Sequence, residues 1–233
     1  DEFHAGFKGR DVFCVGSFSG GNDNAHGGKK SRKEIYPGVC AMTGKGKPRV
    51  GEMETSFEVR SFDAKMPLDE YNQLVKNPLY IILDNLRSAF NVGAVFRLCD
   101  AMRVSGLYLC GYTASPPHIK LQKTSLGTID YVPWKKFETT LEAVDYLQKR
   151  GIPVWGAETA SISSPYDKID YPDALGIVFG NEALGVSEDV LLKCDKLVEI
   201  PLMGFKNSLN VATSCAVLGF KALEMMGKNK KDR

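Results

Sequence analysis

The chain has 233 residues, of which 43% are hydrophobic, so it can bury a full core, and one main domain with an appendage is expected. A net charge of +2 and a pI near 8.2 only weakly favour an acidic partner such as nucleic acid. The longest apolar runs are far shorter than the roughly 18 residues of a membrane span, so no membrane segment is predicted.

Cysteine and histidine usage bears on the compartment and on metal binding. The six cysteines form no CxxC pair, and four of them lie in apolar periodic segments; they are at positions 14, 40, 99, 110, 194 and 215. They are predicted to be reduced core residues of an intracellular protein, with cytoplasm and organelle both left open. The three histidines, at positions 4, 26 and 118, have no metal-ligand spacing, so no metal site is predicted, and a Ser-His-Asp enzyme is disfavoured.

Residues 1–66 differ in composition from the rest of the chain. Residues 1–50 hold 10 of the 23 glycines, and Lys29–Arg49 carries seven basic residues against one acid. Such a segment cannot bury much core, so it is predicted to be a flexible extension that either touches RNA phosphates or is a solvated tail. The chain does not begin with Met, which suggests processing or trimming, and the acids Asp1 and Glu2 argue against an intact organelle-targeting peptide.

Residues 67–227 are predicted to form the folded domain, followed by a basic tail over residues 228–233. Helices are predicted at Pro67–Lys76, Val92–Met102, Leu141–Gln148 and Val186–Leu192, and in the stretch from Leu209 to Met226. Strands are predicted at Leu79–Leu83, Leu107–Cys110, Ile129–Val132, Val154–Ala157, Leu175–Phe179 and Leu197–Ile200, and a loop at Thr113–Thr128. Because the strands are continuous apolar runs that alternate with helices, the sequence predicts an α/β domain whose parallel sheet is covered by helices on both faces.

Three polar loops follow predicted strands of this sheet. They are Asp84–Arg97, Gly180–Gly185 and the stretch from Met203 to Asn210. A parallel sheet binds ligands outside the carboxyl ends of its strands, which makes these loops the candidate site. None of them carries a GxGxxG or Walker pattern, so the usual dinucleotide and nucleoside-triphosphate fingerprints are absent.

Single residues in these loops have predicted local roles. Asn91 is predicted to be the N-cap of its helix, and Asn207 or Ser208 the N-cap of the last helix. Arg97 follows Asn91 by six residues, which on an α-helix separates the two side chains by about 240°. Both sequence neighbours of Arg97 are apolar, and a guanidinium in such surroundings usually has a bidentate anionic partner, for which phosphate is suitable.

The three loops carry three ordered motifs. They are Asn91-x-Gly93-Ala94-x-x-Arg97, then Phe179-Gly180-Asn181-Glu182-x-x-Gly185, then Ile200-Pro201-x-x-Gly204-x-x-x-Ser208-Leu209-Asn210-Val211-Ala212. In order and spacing they resemble the motifs of the SpoU/TrmH class of SPOUT RNA 2′-O-methyltransferases, and the resemblance covers about residues 77–226. The basic Gly-rich region before them does not resemble the ribosomal-protein-like substrate domain of some members.

The resemblance implies a fold, a cofactor and an assembly. The fold is a sheet with a deep trefoil knot at its C-terminal end, which periodicity could not predict because ordinary chains avoid threading. The cofactor is S-adenosylmethionine, held largely by backbone groups, with candidate positions at Gly180, Ile200 and Leu209 and further ones at Thr159 and Ala160. The assembly is a homodimer whose active site draws on both subunits, the motif-one arginine coming from the partner chain.

The resemblance also assigns catalytic candidates. It places Arg97 close to the ribose 2′-OH and an adjacent phosphate, either as a base or as an electrostatic stabiliser of the developing alkoxide. An unperturbed arginine is always protonated, which favours the second role. Asn91, Glu182, Ser208 and Asn210 would orient the ribose, the phosphate or Arg97. For Glu182 and Asn210 the alternative is hydrogen bonding within the loop and at the helix start.

The predicted function is therefore methylation of a ribose 2′-OH in structured RNA. The substrate is tRNA or rRNA, and tRNA is slightly favoured because no rRNA-type substrate domain is recognisable. A non-catalytic SPOUT-like RNA-binding or ribosome-assembly factor is the alternative, and the intact motifs favour the enzyme. An α/β dehydrogenase is disfavoured by the missing phosphate fingerprint.

Overall fold

Seven parallel strands form the sheet of the folded domain. The structure is a computed structural model that describes residues 66–229, with side chains up to Gly227, so the predicted N-terminal extension before Met66 and the end of the basic tail lie outside it. The strands are β1 Asn77–Asp84, β2 Val104–Cys110, β3 Trp134–Phe137, β4 Val154–Ala157, β5 Ser164–Pro165, β6 Leu175–Phe179 and β7 Lys196–Glu199. The helices are α1 Leu68–Gln73, α2 Ala89–Met102, α3 Ile119–Ser125, α4 Thr140–Gln148, α5 Glu188–Lys193 and α6 Val211–Asn229, with a 3₁₀ turn at Thr128–Asp130.

The strand order is β3-β2-β1-β6-β4-β7-β5, and each pairing is parallel. Strand β1 lies inside the sheet, with Ile81 paired to Leu107 of β2 and to Ile177 of β6. The predicted parallel α/β sheet is thereby confirmed. All strands point the same way, so the loops that follow β1, β6 and β4 leave the same edge of the sheet.

Alternate side chains of β1 enter two cores, one on each face of the sheet. Leu79, Ile81 and Leu83 are fully buried on one face, in a core completed by residues of α2 and α6. Ile82 is fully buried on the other face, among residues of α4 and α5. A strand covered on both faces must be apolar at every position, which explains the unbroken Leu-Tyr-Ile-Ile-Leu run.

Two sequence predictions in the third strand region are wrong. The segment predicted as a loop at Thr113–Thr128 contains α3, and the strand predicted at Ile129–Val132 is the second part of the 3₁₀ turn followed by a bend. The third strand is Trp134–Phe137, which pairs with β2 at the edge of the sheet. Because β3 lies at the edge of the sheet, Trp134 and Lys135 are exposed and Lys136 is half-buried, so the strand needs no apolar run. Val132 is buried although it lies in a bend, and the apolar pattern therefore pointed to the wrong segment.

The cysteines within residues 66–229 are free thiols. Cys99, Cys110 and Cys215 are buried, and Cys194 is half-buried against the core. Burial raises the pKa of Cys110, Cys194 and Cys215 to about 12, so these thiols stay protonated at neutral pH. The prediction that they are reduced core residues is confirmed for this part of the chain.

Over the described residues, no helix combines the length and apolar character needed to cross a membrane. Within the same residues no three His, Cys, Asp or Glu side chains cluster as a metal site.

Candidate active site

A carboxylate links the loops after β1 and β6. Glu182 Oε2 accepts a hydrogen bond from the Arg87 N–H at 2.9 Å, and its Oε1 accepts from the Ser88 N–H at 3.1 Å. Oε1 also accepts from Asn91 Nδ2 at 2.9 Å. The two loops are close because β1 and β6 are paired strands whose carboxyl ends lie side by side.

The third motif joins this carboxylate through Asn91. Asn210 Nδ2 donates to Asn91 Oδ1 at 3.1 Å, so Asn91, Glu182 and Asn210 form one chain of hydrogen bonds. In the sequence, Asn91 is 91 positions from Glu182 and 119 positions from Asn210. Three of the five catalytic candidates, one from each motif, are thus brought together; this group is the site network below.

The protonation of Glu182 fixes how the network is arranged. Burial raises the pKa of Glu182, but hydrogen bonds from the Arg87 backbone, the Asn91 side chain and other donors outweigh it, so the net pKa lies below the ordinary value. The ionised carboxylate can only accept hydrogen bonds. Asn91 must then present its NH₂ group to Glu182 and its carbonyl oxygen to Asn210.

The helix starts at the site differ from the prediction. The N-cap of α2 is Ser88, whose Oγ accepts from the Asn91 N–H at 3.3 Å, and not Asn91 itself. Asn91 is therefore inside the first helical turn, where its side chain is available to the site network. Neither Asn207 nor Ser208 begins α6, which starts at Val211.

Asn210 serves both the helix start and the network. Its Oδ1 accepts from the N–H groups of Ala212 at 2.9 Å and Thr213 at 3.4 Å, which is N-cap geometry. Its Nδ2 donates to Asn91 instead. The helix-start role raised for Asn210 is present beside the network contact, because the amide has an acceptor and a donor end.

Arg97 does not join the network within one chain. It lies in α2, six residues after Asn91, and its side chain is exposed. Within residues 66–229 it has no hydrogen bond or ion pair, so the anionic partner expected from its sequence context is not a protein carboxylate in this part of the chain. The helix directs Arg97 and Asn91 to different faces.

Ser208 and Leu209 lie in an exposed segment. All residues from Pro201 to Asn210 are exposed, and the side chains of Met203 and Phe205 are 99% and 100% exposed. Ser208 makes no hydrogen bond with the residues that the structure describes, so it is near the network only through its neighbour Asn210 in sequence.

The cofactor candidates gather at the ends of three neighbouring strands. Gly180 follows β6, Thr159 and Ala160 follow β4, and Ile200 follows β7, and these strands are adjacent in the order β6-β4-β7. Ile200 is half-buried and packs against the core. Leu209 is the exception, since it is 42% exposed in the segment before α6.

The backbone of Gly185 and Val186 passes very close to Gly180. A Cβ at this position would lie 2.1 Å from the Gly185 carbonyl carbon and 2.2 Å from the Val186 nitrogen. No side chain fits there, so the turn that contains Glu182 folds directly onto the end of β6.

Sequence reasoning missed Asn181, which shapes the turn after β6. Its Oδ1 accepts from the Ala183 and Leu184 N–H groups at 2.9 and 3.1 Å. Its Nδ2 donates to the Asn85 carbonyl and to the Tyr112 hydroxyl, both at 2.7 Å. The signal was present in motif two, where an Asn between two turn residues is typical of an Asx turn.

Asp84 was also missed. It is 2% exposed, and its carboxylate accepts from Thr140 Oγ1 at 2.6 Å and from the Ser187 N–H and Oγ at 3.0 and 2.8 Å. It therefore ties the end of β1 to the starts of α4 and α5, whose free N–H groups favour a carboxylate. A charged residue that ends a buried strand was the signal in the sequence.

Comparisons with known proteins identify the family of the chain. The model of the SpoU rRNA methylase family matches residues 78–220, which include all three motifs. The chain belongs to this family. The match confirms the SpoU/TrmH-class SPOUT methyltransferase predicted from the motifs, and it spans most of the sheet and all residues of the site network.

Two curated relatives are similar to more than half of the chain. The chain is 31% identical over 144 residues to the tRNA (guanosine(18)-2'-O)-methyltransferase of Thermus thermophilus, over 62% of this chain and 73% of that protein. It is 29% identical over 165 residues to a putative TrmH family tRNA/rRNA methyltransferase of Staphylococcus saprophyticus, over 71% of this chain and 65% of that protein.

Solved structures share the fold. An AdoMet-bound rRNA methyltransferase from Sinorhizobium meliloti superposes with a TM-score of 0.60 at 27% identity, over 68% of this chain and 60% of that one. The TrmH/SpoU tRNA modifying enzyme of A. aeolicus superposes with a TM-score of 0.63 at 24% identity, over 70% and 82%. The second likeness supports the fold alone.

Proposed function

We propose that the chain is an S-adenosylmethionine-dependent RNA methyltransferase that methylates a ribose 2′-OH in structured RNA. The observation that carries the proposal is the site network, in which Asn91, Glu182 and Asn210 from the three motifs meet at the carboxyl edge of the sheet. Among substrates tRNA is favoured over rRNA. The similarity to a tRNA 2′-O-methyltransferase supports that slight preference.

The cofactor proposal rests on Gly180, Thr159, Ala160, Ile200 and Leu209. A family neighbour was crystallised with AdoMet. Four of these positions lie at three adjacent strand ends, where backbone groups suit the polar edge of an adenine ring and the half-buried Ile200 suits its flat face. When bound there, S-adenosylmethionine supplies an activated methyl group, and the protein has to align the acceptor oxygen with it.

The site network is suited to holding the ribose. A ribose hydroxyl is a poor nucleophile, so orientation and help with its proton are the main tasks of the protein. Glu182 stays ionised and fixes the Asn91 amide, while Asn91 and Asn210 each keep one N–H for a substrate oxygen. Ser208, exposed beside Asn210, supplies a further hydroxyl for the ribose or its phosphate.

Arg97 is proposed to complete the site from a second copy of the chain. In one chain Arg97 and Asn91 leave α2 on different faces, and Arg97 is exposed without a partner among residues 66–229. In a homodimer, Arg97 of one copy would meet the network of the other. Its permanent positive charge then stabilises the developing alkoxide and the neighbouring phosphate. We also propose that the chain forms the trefoil knot that the resemblance implies.

The test is transfer of labelled methyl from S-adenosylmethionine to separate pools of unmodified tRNA and rRNA. We expect label in one pool, at a dinucleotide that resists alkali because the 2′-oxygen is blocked. Arg97→Ala should reduce transfer by at least about a hundredfold, as the loss of an electrostatic stabiliser does, while cofactor affinity is unchanged. Arg150→Ala is the matched control, because it also removes an exposed arginine, but one that follows α4 and stacks on Tyr146 instead of lying in a motif.

The outcomes separate the candidate functions. Full turnover in Arg97→Ala would remove Arg97 from the mechanism. Cofactor binding without label in either pool would favour the non-catalytic RNA-binding alternative. No cofactor binding at all would contradict the enzyme.

A further inference from the structure

Tyr112 is an exposed aromatic residue at the end of β2 whose position is fixed at several points. Its side chain is 61% exposed. Its hydroxyl accepts a hydrogen bond from Asn181 Nδ2 at 2.7 Å, and its N–H donates to Asn85 Oδ1 at 3.2 Å. Exposed tyrosines normally lose rotamer freedom when they bind, and this one is already held at both ends.

The backbone on both sides of Tyr112 is fixed as well. Lys136 Nζ donates to the carbonyl groups of Gly111 and Thr113, one on each side of Tyr112. Gly111 has a φ of 59°, and a Cβ there would lie 1.9 Å from Asn85 Oδ1. The turn thus favours glycine, because its backbone is left-handed there and a side chain would have to displace the Asn85 amide.

The strand order places Tyr112 on the far side of the site network from the cofactor candidates. The network lies at the ends of β1 and β6, and the cofactor candidates lie mainly at the ends of β6, β4 and β7. Tyr112 follows β2, the neighbour of β1 on the opposite side. Tyr112 is therefore an exposed aromatic side chain on the side of the network that the cofactor candidates leave open.

We propose that the Tyr112 ring is a stacking platform for a nucleobase of the RNA substrate, next to the ribose that is methylated. The proposal rests on the proposed function. Aromatic side chains stack on unpaired bases with little regard to sequence, and a ring that is already ordered loses little entropy on binding. The O–H proton of Tyr112 also has no acceptor among residues 66–229, so it remains available to the RNA.

The experiment compares Tyr112→Leu and Tyr112→Phe with the unsubstituted protein, using the RNA pool that accepts methyl groups. Leucine removes the ring, and phenylalanine keeps it while removing the contact with Asn181. We expect Tyr112→Leu to raise the KM for RNA about tenfold, the effect of losing one base–aromatic stack, with kcat and cofactor affinity nearly unchanged. Tyr112→Phe should stay within about threefold, because the stacking surface remains.

Two controls define the effect. Trp134→Leu removes a partly exposed aromatic ring from the edge strand β3 and should leave the KM for RNA unchanged. The salt dependence of RNA binding should be the same in Tyr112→Leu and the unsubstituted protein, because no phosphate contact is lost.

Several results would overturn the proposal. An unchanged KM in Tyr112→Leu would show that the ring does not touch RNA. Equal losses in the leucine and phenylalanine variants would show that Tyr112 acts only through Asn181. If the unsubstituted protein neither binds nor methylates RNA, the proposed function fails first and this inference falls with it.

Discussion

Glu182 is the residue on which the candidate site most depends. Its carboxylate accepts from the N–H groups of Arg87 and Ser88 and from Asn91, so it fixes both the loop after β1 and the amide that Asn210 contacts. The hydrogen bonds outweigh the opposing effect of burial and keep the pKa of Glu182 below its ordinary value. The hydrogen bonding within the loop, which was the alternative role for Glu182, is therefore present, and the same carboxylate also orients Asn91 in the candidate site.

The substitution Glu182→Gln tests this arrangement. Glutamine keeps one acceptor oxygen, but its NH₂ group would face an N–H donor, so we expect a lower melting temperature and strongly reduced methyl transfer. A carboxylate with a depressed pKa stabilises the fold above its unfolded-state pKa and loses that effect as the pH falls through the folded value. The difference in melting temperature between the two proteins should therefore be full at pH 7 and shrink below the ordinary pKa of 4.5.

Glu138→Gln is the matched control for this measurement. Glu138 is exposed after β3, and its substitution by glutamine removes the same charge as Glu182→Gln does. A difference for Glu182→Gln that does not depend on pH would contradict the ionised carboxylate.

At the scale of elements, the site depends on close contact between the ends of β6 and β4 and the turn that follows β6. The turn Asn181–Gly185 is closed by reciprocal backbone hydrogen bonds of 2.9 Å between its end residues. Glu158, after β4, accepts from the Val186 N–H at 3.0 Å and so connects the turn to the next strand. Gly180 allows the contact, because its missing side chain leaves room for the Gly185 backbone.

Gly180→Ala should disturb this packing. The added methyl group would have to displace backbone atoms, and overpacking of this kind costs about 1–3 kcal/mol. We expect lower stability in urea together with weaker cofactor binding, because Gly180 is also a cofactor candidate. Gly227→Ala, where no atom lies within 4 Å, should leave both quantities unchanged or raise stability slightly. Equal behaviour of the two variants would show that the turn adapts.

At the scale of the whole molecule, one chain does not unite all the candidates. The site network comes from three loops of one copy, whereas Arg97 is exposed on another face of α2. The proposed homodimer would resolve this separation, because each copy would give one arginine to its partner and receive one.

Mixing two inactive variants tests this pairing. Arg97→Ala and Glu182→Ala are each expected to be inactive, but a mixed dimer contains one site with an intact network and an intact arginine. After unfolding and refolding together, an equal mixture should recover roughly a quarter of the activity, since about half of the dimers are mixed and each has one working site of two. No recovery, with both variants folded and dimeric, would place Arg97 in the same chain as its network.

The sequence alone was sufficient for the fold class and the family. Apolar runs such as Leu79–Leu83 identified the buried strands, because a strand covered on both faces must be apolar throughout. The motifs identified the three loops and most candidate residues. Local patterns failed where a residue's neighbours in space decided its role, as for the edge strand Trp134–Phe137 and the cap Ser88.

The tertiary structure decided which of these residues meet. No spacing rule relates Asn91 to Glu182 or Asn210, which are 91 and 119 residues away, and only the order of the strands brings them together. Helical geometry directs Arg97 to a different face of α2 from Asn91, and the strand order places Tyr112 next to the turn that contains Glu182. Sequence fixes chemistry and local periodicity, whereas long-range contacts follow from how strand ends are arranged, and that arrangement is a property of the packed sheet as a whole.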